Sequence, residues 1–214
     1  MSKLNTYDEF MNPTGEEDKK IIHQKGLWHK VSTGIIINKE RGLIFFQTIY
    51  PKESYGFDRP DMLDFTIGGH IELNETPLQA LYREGKEEVG LKNWLTTKEL
   101  FIRRIDCQPA ENYIIKEFQH IFLIDTNNEI EDFDLTGTDS EVKSIVQFKI
   151  LDMWRWLDSL NINNLETLIG VERVYDKETR EKVSLKAKTV GMENFIPDYF
   201  KENLLKKILE EILE

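Results

Sequence analysis

Short apolar blocks separated by polar turns fill most of the chain, and apolar residues recur at helical spacing in three places. Residues 31–37 and 43–49 are β-rich runs split by the turn-like Asn38-Lys39-Glu40-Arg41-Gly42. Residues 64–67 form a shorter run that leads into Gly68-Gly69, and 99–105, 114–124 and 141–150 read as further strands. The first helical pattern is 77–89 and the second 151–160. Beyond Asn161 the pattern changes: 168–190 reads as a hairpin turning on Asp176-Lys177-Glu178-Thr179. From Pro197 onward Leu204, Leu205, Ile208, Leu209, Ile212 and Leu213 recur at helical spacing, a stripe suited to core packing or to an interface with a second copy.

The helix at 77–89 is specified letter by letter. Thr76 is a good N-cap, Pro77 suits the first helical position, and Gln79, three residues past the cap, completes a capping box. Gly90 is a natural stop. At 100° per residue Leu78, Tyr82, Gly85 and Val89 share one arc, the expected buried stripe, and Glu84, Glu87 and Glu88 share the neighbouring arc. Like charges at that spacing cost roughly 0.2–0.5 kcal/mol per pair on an exposed helix. They also lie near the helix C-terminus, where the macrodipole disfavours anions. Arg83 relieves part of this repulsion. A divalent cation would relieve all of it, and clustered carboxylates suit Mg²⁺ or Mn²⁺; the alternative is a solvated acidic face. Gly85, which costs about 1 kcal/mol against alanine inside a helix, implies close approach of another backbone element.

Residues 69–91 resemble the signature of the Nudix hydrolases, G-x5-E-x7-R-E-U-x-E-E-x-G-U, where U is bulky and apolar. Gly69, Glu75, Arg83, Glu84, Glu87, Glu88, Gly90 and Leu91 stand at the required positions, and Gly85 departs from the larger apolar residue usual there. The resemblance implies an α/β/α sandwich around a mixed β-sheet. It also implies a loop–helix–loop that binds Mg²⁺ or Mn²⁺ through Glu84, Glu87 and Glu88, with a backbone carbonyl at Gly68 or Gly69. Arg83 would orient the glutamates, and Gly69 and Glu75 would brace the loop. The proton of the attacking water would go to Glu87 or Glu84, or to a glutamate outside the box, for which Glu141 and Glu117 are the candidates.

A second resemblance involves His23 and His29, with Gly68-Gly69-His70 further on. It is to the Nudix branch that includes isopentenyl-diphosphate isomerases, whose members bind a metal through three histidines and nearby glutamates. By position His23, His29, His70 and Glu117 would form such a second metal site. Gly68 stands where the isomerases have a catalytic cysteine, and Cys107 lies well past the box, so isomerase chemistry lacks its acid. Taken singly, each histidine is as well explained by a local hydrogen bond, and His120, between Phe118 and Phe122, reads as structural. Arg103 and Arg104 are candidates to grip a substrate phosphate, at most one of them because strand neighbours face opposite ways. Trp28, Tyr50, Tyr55 and Phe57 are aromatic candidates for covering a substrate or for the core.

Composition narrows the class. A chain of 214 residues with 40% hydrophobic content fits one domain, 1–214. Its core would span about 28–160, with 161–214 as an extension packed on it or at a homodimer interface. No run of about 20 apolar residues and no secretory leader is visible, so no membrane partner is expected. Cys107, the single cysteine, cannot form an internal disulfide, which fits a reducing cytoplasm. A net charge of −11 disfavours nucleic-acid partners. The expectation is a cytoplasmic, metal-dependent hydrolase of a diphosphate linkage in a small nucleoside-diphosphate-X or organic substrate. The alternatives are an isomerase-like enzyme and a non-catalytic nucleotide-sensing domain; domains of the latter kind lose box glutamates, and all are present here.

Overall fold

A computed structural model describes residues 3–50, 61–136, 141–160 and 167–214. It opens with a unit that the apolar pattern does not announce. Strands β1 (Lys3–Tyr7) and β2 (Pro13–Asp18) pair antiparallel, and helix α1 (Lys19–Lys25) follows. Asp18 caps α1 by accepting from the Lys20 N–H, and Gly26 ends it in the left-handed conformation.

The main sheet contains eight strands: β3 (His29–Asn38), β4 (Leu43–Ile49), β5 (Ile67–His70), β6 (Thr96–Ala110), β7 (Tyr113–Asp125), β8 (Val142–Lys149), β9 (Leu168–Tyr175) and β10 (Lys182–Val190). Their order is β10-β9-β8-β4-β3-β7-β6, with β5 beside β3. β3 and β7 are parallel and the other pairs antiparallel, so the sheet is mixed. One edge of β3 is shared: Ile36, Ile37 and Asn38 pair with β4, while Val31, Ser32, Thr33 and Gly34 pair with β5. The expected strand at 64–67 therefore starts later. Asp64 makes only a bridge to Gln47, and the glycine pair itself extends along β3, against the low strand propensity of glycine.

Helices α2 (Pro77–Val89), α3 (Ile150–Leu160), α4 (Asp198–Lys201) and α5 (Leu204–Leu213) complete the fold. Alternation along the strands sends Ile35, Ile37, Phe46, Val146 and Phe148 to the face covered by α3 and α5. Ile36, Phe45, Ile124 and Ile145 go to the face covered by Leu81 and Val89 of α2. The result is the expected α/β/α sandwich. In α5, Leu204, Leu205, Ile208, Leu209 and Ile212 are buried in the chain's own core, as the core-packing reading of this stripe expects; Leu213 stays half-exposed.

The buried face of α2 differs from the expected one. Ala80, Leu81, Gly85 and Val89 are buried, whereas Leu78 and Tyr82 are exposed. The helix is turned so that Glu84 and Glu88 share its inward side. Gly85 is accounted for by side chains, not backbone: an added Cβ would lie 2.7 Å from Trp94 and 2.8 Å from Ile67.

Candidate active site

The predicted cap and stop are both present in α2. Thr76 accepts from Gln79 N, the Gln79 side chain accepts from Thr76 N, and Gly90 sits at φ 62°. These local contacts set where the helix begins and ends, and so where its glutamates stand. Arg83 lies at the centre. Its Nε and Nη2 donate to the two carboxylate oxygens of Glu75 at 2.8 and 2.9 Å, its Nη1 to Glu84 at 2.8 Å and Glu87 at 3.2 Å, and its Nη2 also to the His70 carbonyl at 3.0 Å. This planar fork ties the loop carrying Glu75 to the helix. The Arg83 bonds hold the Glu75 carboxyl below its ordinary pKa. Burial pushes Glu84 upward, with Arg83 pulling part of the way back.

Gly69 has a specific steric reason. A Cβ there would overlap the Glu84 carboxylate, so the backbone of β5 and that side chain can meet only across a glycine. Glu88 accepts from the Gly68 N–H at 2.8 Å. Glu84 and Glu88 thus converge on a cleft of about 440 Å³ that is also lined by Gly68, Gly69, Glu117 and Glu141. Glu87 is held by Arg83 but is more exposed and does not line the cleft.

His23, His29, His70 and Glu117 also come together, with one ligand atom from each all within 4.8 Å of one another. The hydrogen bonds determine the imidazole tautomers. His23 Nδ1 faces the Ile114 carbonyl at 3.2 Å and His29 Nδ1 faces the Leu27 carbonyl at 3.1 Å. Carbonyls only accept, so in each ring Nδ1 carries a proton, and in the neutral form of the ring Nε2 is left with its lone pair. His23 Nε2 stands 3.3 Å from His70 Nε2. His29 Nε2 is buried without a hydrogen bond, with Glu117 Oε1 3.4 Å away. Burial, then the neighbouring His29, lowers the His23 pKa and favours the neutral ring that a metal needs. This donor set fits a cation.

The family model of the NUDIX domain matches residues 28–166. The chain belongs to the Nudix family. Among curated Nudix relatives, an uncharacterised Nudix hydrolase of Clostridium acetobutylicum is 28% identical over 200 residues, covering 91% of this chain and 89% of that protein. The RNA pyrophosphohydrolase of Pseudoalteromonas translucida is 30% identical over 141 residues, covering 60% and 70% respectively. Of solved structures, a MutT/nudix family protein from Enterococcus faecalis aligns at 14% identity with a TM-score of 0.47, covering 86% of this chain and 62% of that one.

Other sequence-derived candidates of this Nudix hydrolase lie elsewhere. Arg103 is not available to a substrate phosphate: it is buried, and its guanidinium is occupied by Glu202, Asp198 and Gln119. Arg104 points to the other face, as strand alternation requires. Its guanidinium lies 4.3 Å from the centre of the Trp28 ring, 3.9 Å from Glu9, and does not line the cleft. Trp28 is buried against Phe118, Tyr50 donates to the Tyr175 carbonyl, and Tyr55 and Phe57 lie outside the described residues. His120 is structural, bonded through Nδ1 to Glu99 at 2.7 Å.

Among the cleft residues that sequence reasoning missed are Lys19, Glu72 and Gln119. Lys19 is the one cation among the described lining residues, and it acts electrostatically on both Glu84 and His23. The Asp18 cap marks the start of its helix in the sequence, but nothing local tells that this helix faces the box.

Proposed function

We propose that this Nudix hydrolase is metal-dependent and cleaves a phosphoanhydride linkage in a small nucleoside-diphosphate-X or organic diphosphate substrate. The carrying observation is the convergence of Glu84 and Glu88 with Glu117 and Glu141 on one cleft. Such a cleft repels a diphosphate unless cations intervene. Glu84, Glu87, Glu88 and the Gly68 carbonyl would hold Mg²⁺ or Mn²⁺, which when bound neutralises phosphate oxygens and acidifies water. Arg83 orients the glutamates, and Glu75 and Gly69 keep the loop against the helix. Glu141, Glu84 or Glu87 accepts the proton of the attacking water. The single cysteine fits a cytoplasmic setting.

The test is a cleavage panel with Mg²⁺ and Mn²⁺, covering ADP-ribose, NADH, nucleotide sugars, nucleoside di- and triphosphates, isopentenyl diphosphate and an RNA with a terminal pyrophosphate linkage. Glu88→Gln is expected to lower turnover by at least a hundredfold, the scale of a lost catalytic charge, with the melting temperature kept. Unchanged turnover in that variant would remove the metal-site assignment. No cleavage, with one compound raising the melting temperature, would move the reading to a binding module.

A second site is supported by the convergence of His23, His29, His70 and Glu117, with one ligand atom from each within 4.8 Å of the others. We propose that His23, His29, His70 and Glu117 hold one transition-metal ion, since imidazole-rich sets suit Zn²⁺ and its neighbours. His29→Ala is expected to abolish one equivalent of Zn²⁺ binding in calorimetric titration, while Mg²⁺ binding at the box stays. Equal Zn²⁺ stoichiometry in wild type and variant would make the set a hydrogen-bonded cluster only.

A further inference from the structure

Gln119 is the one carboxamide among the described residues of the cleft, and it is only 7% exposed. It stands directly opposite Arg103 across the antiparallel pairing of β6 and β7, so the two side chains share a face. Arg103 Nη1 donates to Gln119 Oε1 at 3.1 Å. A guanidinium has no acceptor, so the amide oxygen must face Arg103 and the Nε2 group, with its two N–H donors, must point the other way. Nε2 has no hydrogen-bond partner among the described residues, yet it is not among the atoms sealed from solvent. It is therefore open to the cleft.

Arg103 is itself fixed. Its Nε and Nη2 grip the two oxygens of Glu202, each at 2.6 Å, and Nη2 also donates to Asp198 at 2.9 Å. Burial works against its charge, but Glu202 and Asp198 outweigh that and hold its pKa up. Glu202 and Asp198 lie beyond the family-matched segment, which ends at residue 166. The C-terminal extension thus holds Arg103, the partner of a cleft residue, through two side chains.

We infer that Gln119 binds substrate, presenting its Nε2 donors to an anionic phosphate oxygen, and that Arg103, held by Glu202 and Asp198, is the positioning residue that sets the amide's direction. A neutral donor suits this site. It can bond to an anion without forming the ion pair with Glu84, Glu88, Glu117 or Glu141 that a second cation would make. The inference rests on the diphosphate-hydrolase reading.

Gln119→Glu tests it, because glutamate keeps an oxygen for Arg103 at nearly the same volume but replaces the donor with an anionic acceptor. The measurements are KM and kcat on the panel substrate that is cleaved, the Kd of imidodiphosphate with Mg²⁺, and the melting temperature. KM and Kd are expected to rise roughly ten- to hundredfold, the value of a hydrogen bond to a charged group, with the melting temperature unchanged or higher. Gln119→Met, which lacks donors altogether, is expected to shift both constants in the same direction and serves if Gln119→Glu does not fold. Glu202→Ala, outside the cleft, should produce a smaller rise in KM. Wild-type KM and Kd in Gln119→Glu, alongside an inactive Glu88→Gln, would overturn the inference and leave the hydrolase reading standing. Full turnover in Glu88→Gln would remove the metal-site assignment, and no cleavage of any panel substrate by wild type would overturn the hydrolase reading and this inference with it.

Discussion

At the residue scale, Gly69 matters for the atom it lacks. The Glu84 carboxylate occupies the space a Cβ would need, so Gly69→Ala must push that carboxylate away from the cleft. The obstacle is the end of a side chain, which can move, so the fold should survive. We expect at least a tenfold loss in kcat, the scale on which small displacements of catalytic groups act, with the melting temperature within a few degrees of wild type. Steady-state kinetics beside a thermal melt checks this, and wild-type kcat would show that Glu84 needs no such approach. Arg83 and Glu75 were singled out by the Nudix resemblance, and the fork that joins them, eight positions apart, is local. The Gln119–Arg103 pair was not legible, since it depends on the register between β6 and β7 and on a segment nearly one hundred positions further along the chain.

At the scale of elements, α2 joins a locally determined length to a tertiary orientation. Its cap and stop were readable because each involves backbone groups within one turn. Its buried face was not. An apolar count favours Leu78 and Tyr82, but the inward side is set by the ends of β3 and β5, which receive Glu84 and Glu88. Gly90 holds both aspects together. It adopts φ 62° to close the helix, and a Cβ there would strike the backbone carbonyl of Asp134. Gly90→Ala is therefore expected to cost about 3 kcal/mol or more, combining left-handed strain with a displaced backbone. For a protein of this size that lowers the melting temperature by roughly 6–12 °C. A thermal melt within 2 °C of wild type would refute this account of Gly90, 2 °C being about the shift expected for only 1 kcal/mol.

At the scale of the whole molecule, buried charges fasten the outer strands and the C-terminal extension to the sheet. Arg103 fastens the extension on one side. On the other, Glu172 of β9 accepts from Ser144 at 2.9 Å and Lys188 at 3.0 Å, with Lys186 at 3.2 Å. Burial alone would raise the Glu172 pKa, but Lys188, Ser144 and Lys186 outweigh it, and the folded value is lowered below 4.5. A carboxyl with a lowered folded pKa contributes stability above its unfolded pKa and loses it as pH falls through the folded one. Wild type should therefore exceed Glu172→Gln by about 1–3 kcal/mol at pH 7, and that gap should close below about pH 4. Denaturant melts at pH 7 and pH 3 measure both ends, and a gap independent of pH would mean that the charge of Glu172 contributes nothing.

The sequence by itself determined what depends on neighbours along the chain: most of the central strand runs, the bounds of α2, the hairpin at 168–190 and the spacing of the box residues. Periodicity, caps and turn residues act over a few positions, so they can be read without the fold. The tertiary structure alone decided which side of α2 turns inward, that His23, His29, His70 and Glu117 meet, and that Lys19 and Gln119 face the box glutamates. Those outcomes follow from strand register and from packing between distant segments, where a side chain's neighbours are set by how the chain closes on itself.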